Sequence, residues 1–294
     1  MNKKNEKCVI ALDMGGTYIK YGLVLNDFSV VAAGCVPADS HSDREQLLNR
    51  ISKAVIDGKC AAEKLGYQPM GVAVSTPGPF DYAAGTSHMV GKYDEIYDVD
   101  LRLELRSRAG LSDDMPIEFM QDAAAFLVGE HAAGAGKGYD SCMCITLGTG
   151  VGYACILDNE LLLNERKGPY YVLARQEYKD TGKLIEELVS GTAILKNYGV
   201  DAKTLVDSAK QGDQSSLEIL FEQGKILGEA LAEVKEIAKI PCIVIGGQIS
   251  KGFELLQGGI KTGLGIYGDK IQLVQAMHPE NAALIGAAVT HYIF

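Results

Sequence analysis

The chain has 294 residues, a length that accommodates two domains of ordinary size. Hydrophobic residues make up 47% of the sequence and charged residues 22%, which is typical of a globular protein, and the formal net charge of −10 argues against a general nucleic-acid binder. No apolar run reaches about 18 residues, and the polar residues 1–7 do not resemble a secretory signal, so we expect neither a membrane span nor a secreted protein.

Seven cysteines are spread along the chain without a C-x-x-C pair. Most lie in apolar, strand-like surroundings, where a thiol packs as a small hydrophobic group. Cys142 and Cys144 lie two residues apart on a predicted strand, so we interpret them as core residues on one face rather than as metal ligands. This cysteine usage favours a reduced, cytoplasmic protein.

The first predicted element is a hairpin with a glycine-rich turn. An apolar run, 8–12, ends in Asp13-Met14-Gly15-Gly16-Thr17, and a second apolar run, 18–24, follows. This pattern predicts a strand, a tight turn and a strand. Glycines let the backbone approach an anion closely, and the turn's N–H groups and the Thr17 hydroxyl can donate to phosphate oxygens. Asp13 could hold hydrated Mg²⁺ beside them, although an ordinary hairpin would show the same pattern.

Alternating helix and strand patterns continue the first half of the chain. A capping-box pattern at Ser42-Asp43-Arg44-Glu45 opens an amphipathic helix, and a buried strand runs into the rigid loop Thr76-Pro77-Gly78-Pro79. The elements predicted after the first hairpin are a strand over 29–36, a helix over ~42–65, a strand over 70–75, a helix over 101–109, a strand over 116–120 and a helix over 123–133.

The pattern then repeats, because a strand at 142–147, the turn Gly148-Thr149-Gly150 and a strand at 151–157 form a second glycine hairpin. Two such hairpins predict a duplicated α/β fold, with mixed sheets flanked by helices and two lobes that face each other across a cleft. We expect a smaller lobe over 1–120, with the last helix from about 279 packing back on it, and a larger lobe over 121–278. The other predicted elements of the second half are helices over ~183–198 and ~214–238 and a strand over 241–245 that ends in Gly246-Gly247.

Five of these segments, in the same order, resemble motifs of the ROK family of sugar kinases, within the group that shares the actin and hexokinase fold, which is ribonuclease H-like. The resemblance runs along nearly the whole chain, and five motifs in the same order are improbable as a coincidence. The matching segments are Asp13-Met14-Gly15-Gly16-Thr17, Ser75-Thr76-Pro77-Gly78-Pro79, Gln121-Asp122-Ala123-Ala124-Ala125, Leu147-Gly148-Thr149-Gly150-Val151-Gly152 and Ile243-Val244-Ile245-Gly246-Gly247-Gln248-Ile249-Ser250.

The resemblance implies roles for individual residues in phosphoryl transfer from ATP to a sugar hydroxyl. Asp122 would be the general base, although an acid at a predicted helix start could also be only a helix cap. Asp13 would hold Mg²⁺ through water, and Lys20 would reach a phosphate or remain a solvated lysine. The residues implied to bind ATP are Asp13, Gly15, Gly16, Thr17, Lys20, Gly148, Thr149, Gly150, Gly246 and Gly247, and those implied to bind sugar are Thr76, Pro77, Gly78, Gln121, Asp122 and Glu186.

The chain also departs from the family pattern. Family members usually carry a histidine and a cysteine-rich run that bind a structural zinc, but residues 164–188 contain neither His nor Cys, so we predict no zinc site. We expect Tyr170 or Tyr171 to replace the family's sugar-contacting histidine. Gln121 and Ala124 stand where the family has asparagines, so the sugar pocket is expected to be atypical.

These observations lead to a kinase hypothesis and an alternative from another class. The resemblance implies an ATP- and Mg²⁺-dependent kinase that forms a homodimer and acts on the 6-hydroxyl of glucose or a β-glucoside, with N-acetylmannosamine as the alternative substrate. The changed pocket residues instead motivate a catalytically weak, sugar-sensing regulator. The resemblance implies that the family's repressors carry a DNA-binding domain before the first motif, and since only twelve residues precede Asp13 we expect no such domain here.

Overall fold

Two five-stranded mixed sheets organise residues 6–292, the part of the chain that this computed structural model describes. Within those residues, one structural unit comprises 6–133, 163–169 and 280–292, and the other comprises 134–162 and 170–279. Each unit contains one of the sheets and its own apolar core. No helix among the described residues combines the length and the apolarity that a membrane span requires.

The strands and helices follow the predicted α/β pattern. The strands are β1 (Glu6–Met14), β2 (Tyr18–Val24), β3 (Val30–Pro37), β4 (Tyr67–Thr76), β5 (Phe80–Asp81), β6 (Thr86–Ser87), β7 (Ile117–Gln121), β8 (Cys142–Leu147), β9 (Val151–Leu157), β10 (Glu160–Leu161), β11 (Cys242–Gly246) and β12 (Gln272–Gln275). The helices are α1 (Arg44–Leu65), α2 (Leu101–Arg108), α3 (Asp122–Ala133), α4 (Ile185–Val189), α5 (Gly191–Tyr198), α6 (Ala202–Lys210), α7 (Gln214–Ala232), α8 (Phe253–Leu264) and α9 (Ala282–Val289).

The two sheets have the same strand order and the same pattern of directions. In the first unit the order is β3-β2-β1-β4-β7, with β1 antiparallel to β2 and parallel to β4. In the second unit the order is β10-β9-β8-β11-β12, with β8 antiparallel to β9 and parallel to β11. The duplicated α/β fold with mixed sheets, predicted from the two glycine hairpins, is therefore confirmed.

Helix boundaries follow local capping chemistry. The Asp43 side chain accepts a hydrogen bond from Gln46 N over 2.9 Å, so α1 begins at Arg44, and Gly66 in the left-handed region ends it. The single helix predicted over 183–198 is wrong, because Ser190 has an extended backbone and its side chain caps α5. The chain therefore forms two short helices, α4 and α5, in place of one.

The sequence patterns missed α6, α8 and β12. Helix α8 contains three glycines, Gly258, Gly259 and Gly263, and glycine in a helix interior costs roughly 1 kcal/mol relative to alanine, so the segment does not read as a helix. The packing of α8 explains these residues. A β-carbon at Gly259 would overlap the carbonyl oxygen of Phe221 on α7, and one at Gly263 would overlap that of Lys225.

A close helix crossing of this kind occurs in each unit. In the second unit, Gly224 and Gly228 of α7 approach the backbone of α8 as closely as Gly259 and Gly263 approach α7. In the first unit, a β-carbon at Gly129 of α3 would overlap Ala282 O of α9, and one at Gly286 of α9 would overlap Ala125 O of α3. Each crossing therefore depends on small residues spaced four apart on both helices, because any larger side chain would separate the backbones.

We predict opposite effects for two neighbouring glycines of α8. Gly259→Ala places a methyl group against Phe221 O and is expected to lower the free energy of unfolding by about 3 kcal/mol through overpacking. Gly258→Ala is the matched control, because its β-carbon would lie 3.7 Å from the Phe221 side chain, at ordinary contact distance, and alanine is the better helix former. Urea unfolding should show Gly258→Ala unchanged or up to about 1 kcal/mol more stable. Equal stabilities for the two variants would contradict the packing argument.

Candidate functional site

Asp13 lies at the end of β1, where the register pairs it with Lys20 on β2 and with Ser75 on β4. The buried Ser75 hydroxyl donates a hydrogen bond to Asp13 Oδ1 over 2.9 Å. Burial raises the pKa of the Asp13 carboxyl above its usual range, and the Ser75 hydrogen bond and the Lys20 ammonium oppose that shift. The site therefore holds a desolvated, oriented carboxyl group at the edge of the sheet, a type of ligand suited to Mg²⁺.

Asp122 is the first residue of α3 and follows β7 directly. Its Oδ1 accepts hydrogen bonds from Ala123 N over 2.8 Å and from the Gln121 amide. The capping contact to Ala124 N is made by Gln121 Oε1 over 2.8 Å, so Gln121 and not Asp122 performs the role of helix cap. Asp122 therefore occupies the helix start without being required for capping.

The electrostatic environment of Asp122 sets it apart from a surface acid. Burial is the main cause that raises the pKa of its carboxyl to about 6, and the charge of Asp13 adds to the shift. The Ala123 N–H and the Lys92 ammonium act in the opposite direction. A carboxyl group with a pKa near neutrality is suited to accept a proton from a substrate hydroxyl at physiological pH.

The loop after β4 lies beside these acids in the same unit. Thr76 is buried, and Tyr82 OH donates to Thr76 O over 3.3 Å, so an aromatic side chain holds the start of the loop backbone. The peptide bond between Gly78 and Pro79 is cis. The charge of Asp122 contributes to a raised pKa of Tyr82, which indicates that the two side chains are close. Pro77 is half-buried and Gly78 is exposed, so the loop offers backbone groups to a ligand.

The first glycine turn is closed by backbone contacts. Gly15 N donates to Tyr18 O over 3.0 Å, and the buried Tyr93 OH donates to Gly15 O over 2.7 Å. A β-carbon at Gly15 would lie 2.8 Å from Tyr18 O, so the tight turn requires glycine there. A β-carbon at Gly16 would lie 3.5 Å from Lys92 Cε, and Thr17 is exposed. The turn is therefore a preformed backbone surface on which an anion can rest.

Lys20, which the sequence offered either as a phosphate ligand or as a solvated lysine, has an ion partner. Its Nζ lies 2.9 Å from Glu280 Oε2, and both side chains are substantially exposed. The ammonium also lowers the pKa of Asp13, so it contributes to the field at the end of β1. A direct phosphate contact from Lys20 stays a prediction.

The second glycine turn lies between β8 and β9 in the second unit. Gly148 N donates to Gly150 O over 3.0 Å, and Gly191 N at the start of α5 donates to Gly148 O over 2.7 Å. Thr192 Oγ1 donates to Thr149 O over 2.9 Å. The carbonyl groups of Gly148 and Thr149 are therefore bound by α5, and that of Gly150 is bound within the turn, so these contacts orient the peptide planes of the turn.

Gly246 and Gly247 lie next to this second turn. Gly247 has a φ of 84°, and a β-carbon on it would overlap Leu147 O at the end of β8. Ser250 Oγ donates to Gly247 O over 2.7 Å and closes the loop after β11. The two glycine segments that the resemblance assigns to ATP thus form one surface within the second unit.

Glu186 on α4 contacts the second glycine turn. Its Oε1 accepts a hydrogen bond from Val151 N over 3.3 Å, and a β-carbon at Gly150 would overlap that oxygen. Glycine at position 150 therefore makes room for the carboxylate. The structure shows the Glu186 carboxylate in contact with the second glycine turn. A role of Glu186 in sugar binding stays a prediction.

The segment 170–179, where the family pattern is absent, is attached to α7 by side-chain contacts. Tyr178 OH donates to Glu229, which also pairs with Lys179. Tyr171 OH donates to Gln176 Oε1 and Gln176 Nε2 donates to Glu233 Oε2, both over 2.6 Å. Among residues 6–292 no group of three or more His, Cys, Asp or Glu side chains is arranged to hold a metal ion, and the absence of zinc stays a prediction.

The predicted site residues thus fall into two sets, one in each unit. The structure brings the members of each set together, and Ser75, Tyr82, Lys92 and Tyr93 join the first set although none of them was assigned a role from the sequence. Ser75 is the first residue of the recognised segment 75–79 and Tyr82 follows that segment closely, a signal that could have found them. The first set is Asp13, Gly15, Gly16, Thr17, Lys20, Thr76, Pro77, Gly78, Gln121 and Asp122, and the second is Gly148, Thr149, Gly150, Glu186, Gly246 and Gly247.

Comparison with known proteins gives matches along nearly the whole chain. A model of the ROK family matches residues 9–168 and 180–291 and leaves 169–179 unmatched. The chain is 27% identical to a glucokinase of Thermotoga maritima over 317 aligned positions, which cover 95% of this chain and 96% of that protein. It is 28% identical to an N-acetylmannosamine kinase of Yersinia pestis over 194 positions, which cover 60% of this chain and 65% of that protein.

Solved structures support the fold. A ROK family glucokinase from Streptomyces griseus, solved with glucose and AMPPNP, superposes with a TM-score of 0.80 at 23% identity, with 96% of this chain and 98% of that chain covered. At this identity the likeness shows the fold, which is the actin- and hexokinase-like fold of these sugar kinases.

We predict that the contacts between segment 170–179 and α7 stabilise this segment without a metal ion. Tyr178→Phe removes a hydrogen bond to a carboxylate and is expected to lower the free energy of unfolding by about 1 kcal/mol, because Lys179 still pairs with Glu229. Tyr170→Phe is the matched control, since Tyr170 is exposed and its OH lies 3.4 Å from Glu236 Oε1, and it should cost less than about 0.5 kcal/mol.

Urea unfolding of both variants, with and without excess EDTA, checks this prediction. We expect the chelator to leave the unfolding midpoint of the unmodified protein unchanged. A midpoint that falls on chelation would show that a metal ion stabilises the protein, and equal stabilities of the two variants would show that the Tyr178 contact contributes nothing.

Proposed function

The chain belongs to the ROK family, and from this premise we propose that it is an ATP-dependent sugar kinase that transfers the γ-phosphoryl group of ATP to a hydroxyl of a hexose or a hexose derivative. The observation that carries the proposal is the state of Asp122. This carboxyl group is desolvated, its pKa is raised to about 6, and Gln121 performs the capping role that would otherwise explain an acid at a helix start.

In the proposed reaction Asp122 accepts the proton of the attacking sugar hydroxyl. The hydroxyl oxygen forms a bond to the γ-phosphorus as the bond from that phosphorus to the bridging oxygen of ADP breaks. The positive end of the α3 dipole and the Ala123 N–H keep Asp122 ionised before the transfer. The N–H groups of Gly15 and Gly148 are used within the two preformed glycine turns, so other backbone N–H groups of these turns donate to the phosphates in the proposed reaction.

The residues at the end of β1 fit a divalent cation. Asp13 supplies a carboxylate, and the Ser75 hydroxyl orients it by a hydrogen bond of 2.9 Å. Mg²⁺ bound with ATP would neutralise charge on the transferred phosphoryl group. The residue proposed to hold it is Asp13, through water, with Ser75 as the orienting group.

The proposed sugar contacts come from the loop Thr76-Pro77-Gly78, from Gln121 and Asp122, and from Glu186. We propose the 6-hydroxyl of glucose or of a β-glucoside as the acceptor. The likeness to glucokinases over the full length supports this choice. N-acetylmannosamine is the second candidate, and the likeness to the Yersinia pestis N-acetylmannosamine kinase over part of the chain supports it.

The experiment that tests the proposal is an ADP-release assay with Mg-ATP against glucose, cellobiose, N-acetylmannosamine, N-acetylglucosamine, fructose and allose. We expect turnover of one of them. Asp122→Asn, which retains an oxygen acceptor for Ala123 N, should lower kcat at least about 10³-fold while the midpoint of thermal unfolding does not fall, because it removes a carboxylate that is costly to desolvate. Ala123 and Ala124 amide protection by hydrogen exchange would confirm that α3 still begins normally.

Failure takes two different forms. Retained turnover in Asp122→Asn would remove Asp122 as the base but keep the kinase. Thermal stabilisation by a sugar without ADP release from any of the six would favour the sugar-sensing alternative over the kinase.

The pH dependence gives an independent check on Asp122. Since the proposed base must be ionised, and burial raises its pKa to about 6, kcat/KM should fall tenfold per pH unit below about 6 and level off above about 7. The measurement is the pH profile of kcat/KM at saturating Mg-ATP. An acid limb centred near the ordinary aspartate value, about 4, would contradict a desolvated general base.

A further inference from the structure

Lys92 lies outside every motif, in the segment between the loop after β4 and α2, yet it reaches the glycine turn of the first unit. Its side chain runs over Gly16, where a β-carbon would lie 3.5 Å from Lys92 Cε, 3.6 Å from Cδ and 3.7 Å from Nζ. The ammonium group is also close enough to lower the pKa of Asp122. One lysine therefore connects the proposed phosphate turn with the proposed base.

The backbone around Lys92 is fixed by contacts on both sides. Gly91 N donates to Asp94 Oδ1 over 2.7 Å, and Tyr93 N donates to Ser40 O over 2.9 Å. The buried Tyr93 OH donates to Gly15 O over 2.7 Å, across 78 positions of the sequence. The position of Lys92 relative to the glycine turn is thus set by its neighbour, and the four-carbon side chain extends from a fixed point.

The ammonium group of Lys92 is available to bind an anion. Among the described residues Lys92 has no hydrogen bond or ion pair, whereas Lys20 on β2 pairs with Glu280 at 2.9 Å. The acidic side chains in this part of the first unit are Asp13 and Asp122. Tyr82 and Tyr93 are also present, and they are neutral because burial raises the pKa of each hydroxyl. Lys92 therefore offers an available positive charge near the Asp122 carboxyl group, where a negatively charged phosphoryl group would otherwise be repelled.

We propose that Lys92 is a catalytic residue whose ammonium group contacts the transferred phosphoryl group between the glycine turn and Asp122. The inference rests on the proposed kinase function and adds a residue to it. In the transfer, the sugar oxygen bonds to the γ-phosphorus, the ADP oxygen leaves with the electron pair of the broken bond, and Asp122 takes the hydroxyl proton. Lys92 stays protonated throughout and stabilises charge on the phosphoryl oxygens.

Three variants test this role in the same ADP-release assay. Lys92→Met keeps the aliphatic length over Gly16 but removes the charge, and we expect kcat to fall about 10²- to 10³-fold with the KM for sugar changed less than about threefold. Lys92→Arg restores a cation and should recover at least about tenfold of that loss. Lys53→Met is the matched control, because Lys53 is an exposed lysine of the same unit that pairs with Asp57 at 2.9 Å on α1, and it should match the unmodified protein.

The pH profile separates a charge effect from a structural one. Because the Lys92 ammonium lowers the pKa of Asp122, Lys92→Met should move the acid limb of kcat/KM to higher pH, and Lys92→Arg should move it back. A variant that merely loosened the segment would lower the rate without moving the limb. Values of kcat within threefold of the unmodified protein, or an unmoved limb in Lys92→Met, would overturn the proposal.

A binding measurement keeps the inference independent of turnover. Inorganic tripolyphosphate, titrated calorimetrically without sugar, should bind Lys92→Met at least about tenfold more weakly than Lys53→Met. Equal dissociation constants would overturn the Lys92 assignment even if the protein phosphorylates a sugar. A different pair of results would separate the two proposals. If none of the six sugars is turned over but Lys92→Met binds tripolyphosphate tenfold more weakly, the phosphate contact of Lys92 is supported and the kinase proposal is contradicted.

Discussion

The backbone contact between α3 and α9 is the constraint on which the first unit depends. Gly129 and Gly286 let the two helices touch without intervening side chains, and each would overlap a carbonyl group of the other helix if it carried a β-carbon. A crossing of this kind has no adjustable side chain, so it determines the position of α3 closely. Since Asp122 is the first residue of α3, the same contact determines where the carboxyl group lies relative to the end of β1.

The second unit uses the same solution with different residues. Its helices α7 and α8 cross through Gly224, Gly228, Gly259 and Gly263, and its sheet repeats the strand order of the first unit. In each unit the glycine hairpin opens the sheet and the close helix pair lies later in the chain. Duplication has thus preserved the packing rule as well as the topology, while the chemical groups differ, with two acids in one unit and the glycine turn with Glu186 in the other.

The two buried acids of the first unit, Asp13 and Asp122, lower the stability of the folded protein when they are ionised. Burial raises the pKa of both Asp13 and Asp122, and the charge of Asp13 raises the pKa of Asp122 further, so ionising both carboxyl groups is costly. Ser75, the Ala123 N–H and the lysine side chains reduce this cost locally. By contrast, segment 170–179, which the family model leaves unmatched, is held by tyrosine–carboxylate contacts to α7 that serve packing and attachment.

The sequence by itself determined the two glycine hairpins, most of the strands, and the order of the motif segments, because these follow from periodicity and turn chemistry within a few residues. It did not determine α8, whose glycines read as helix breakers until the neighbouring α7 is in place. It also left open whether Asp122 caps a helix, a question that the side-chain geometry of Gln121 decided. Lys92 could be placed only by the tertiary structure, since the contact that brings it to the glycine turn, Tyr93 OH to Gly15 O, joins residues 78 positions apart and leaves no local pattern.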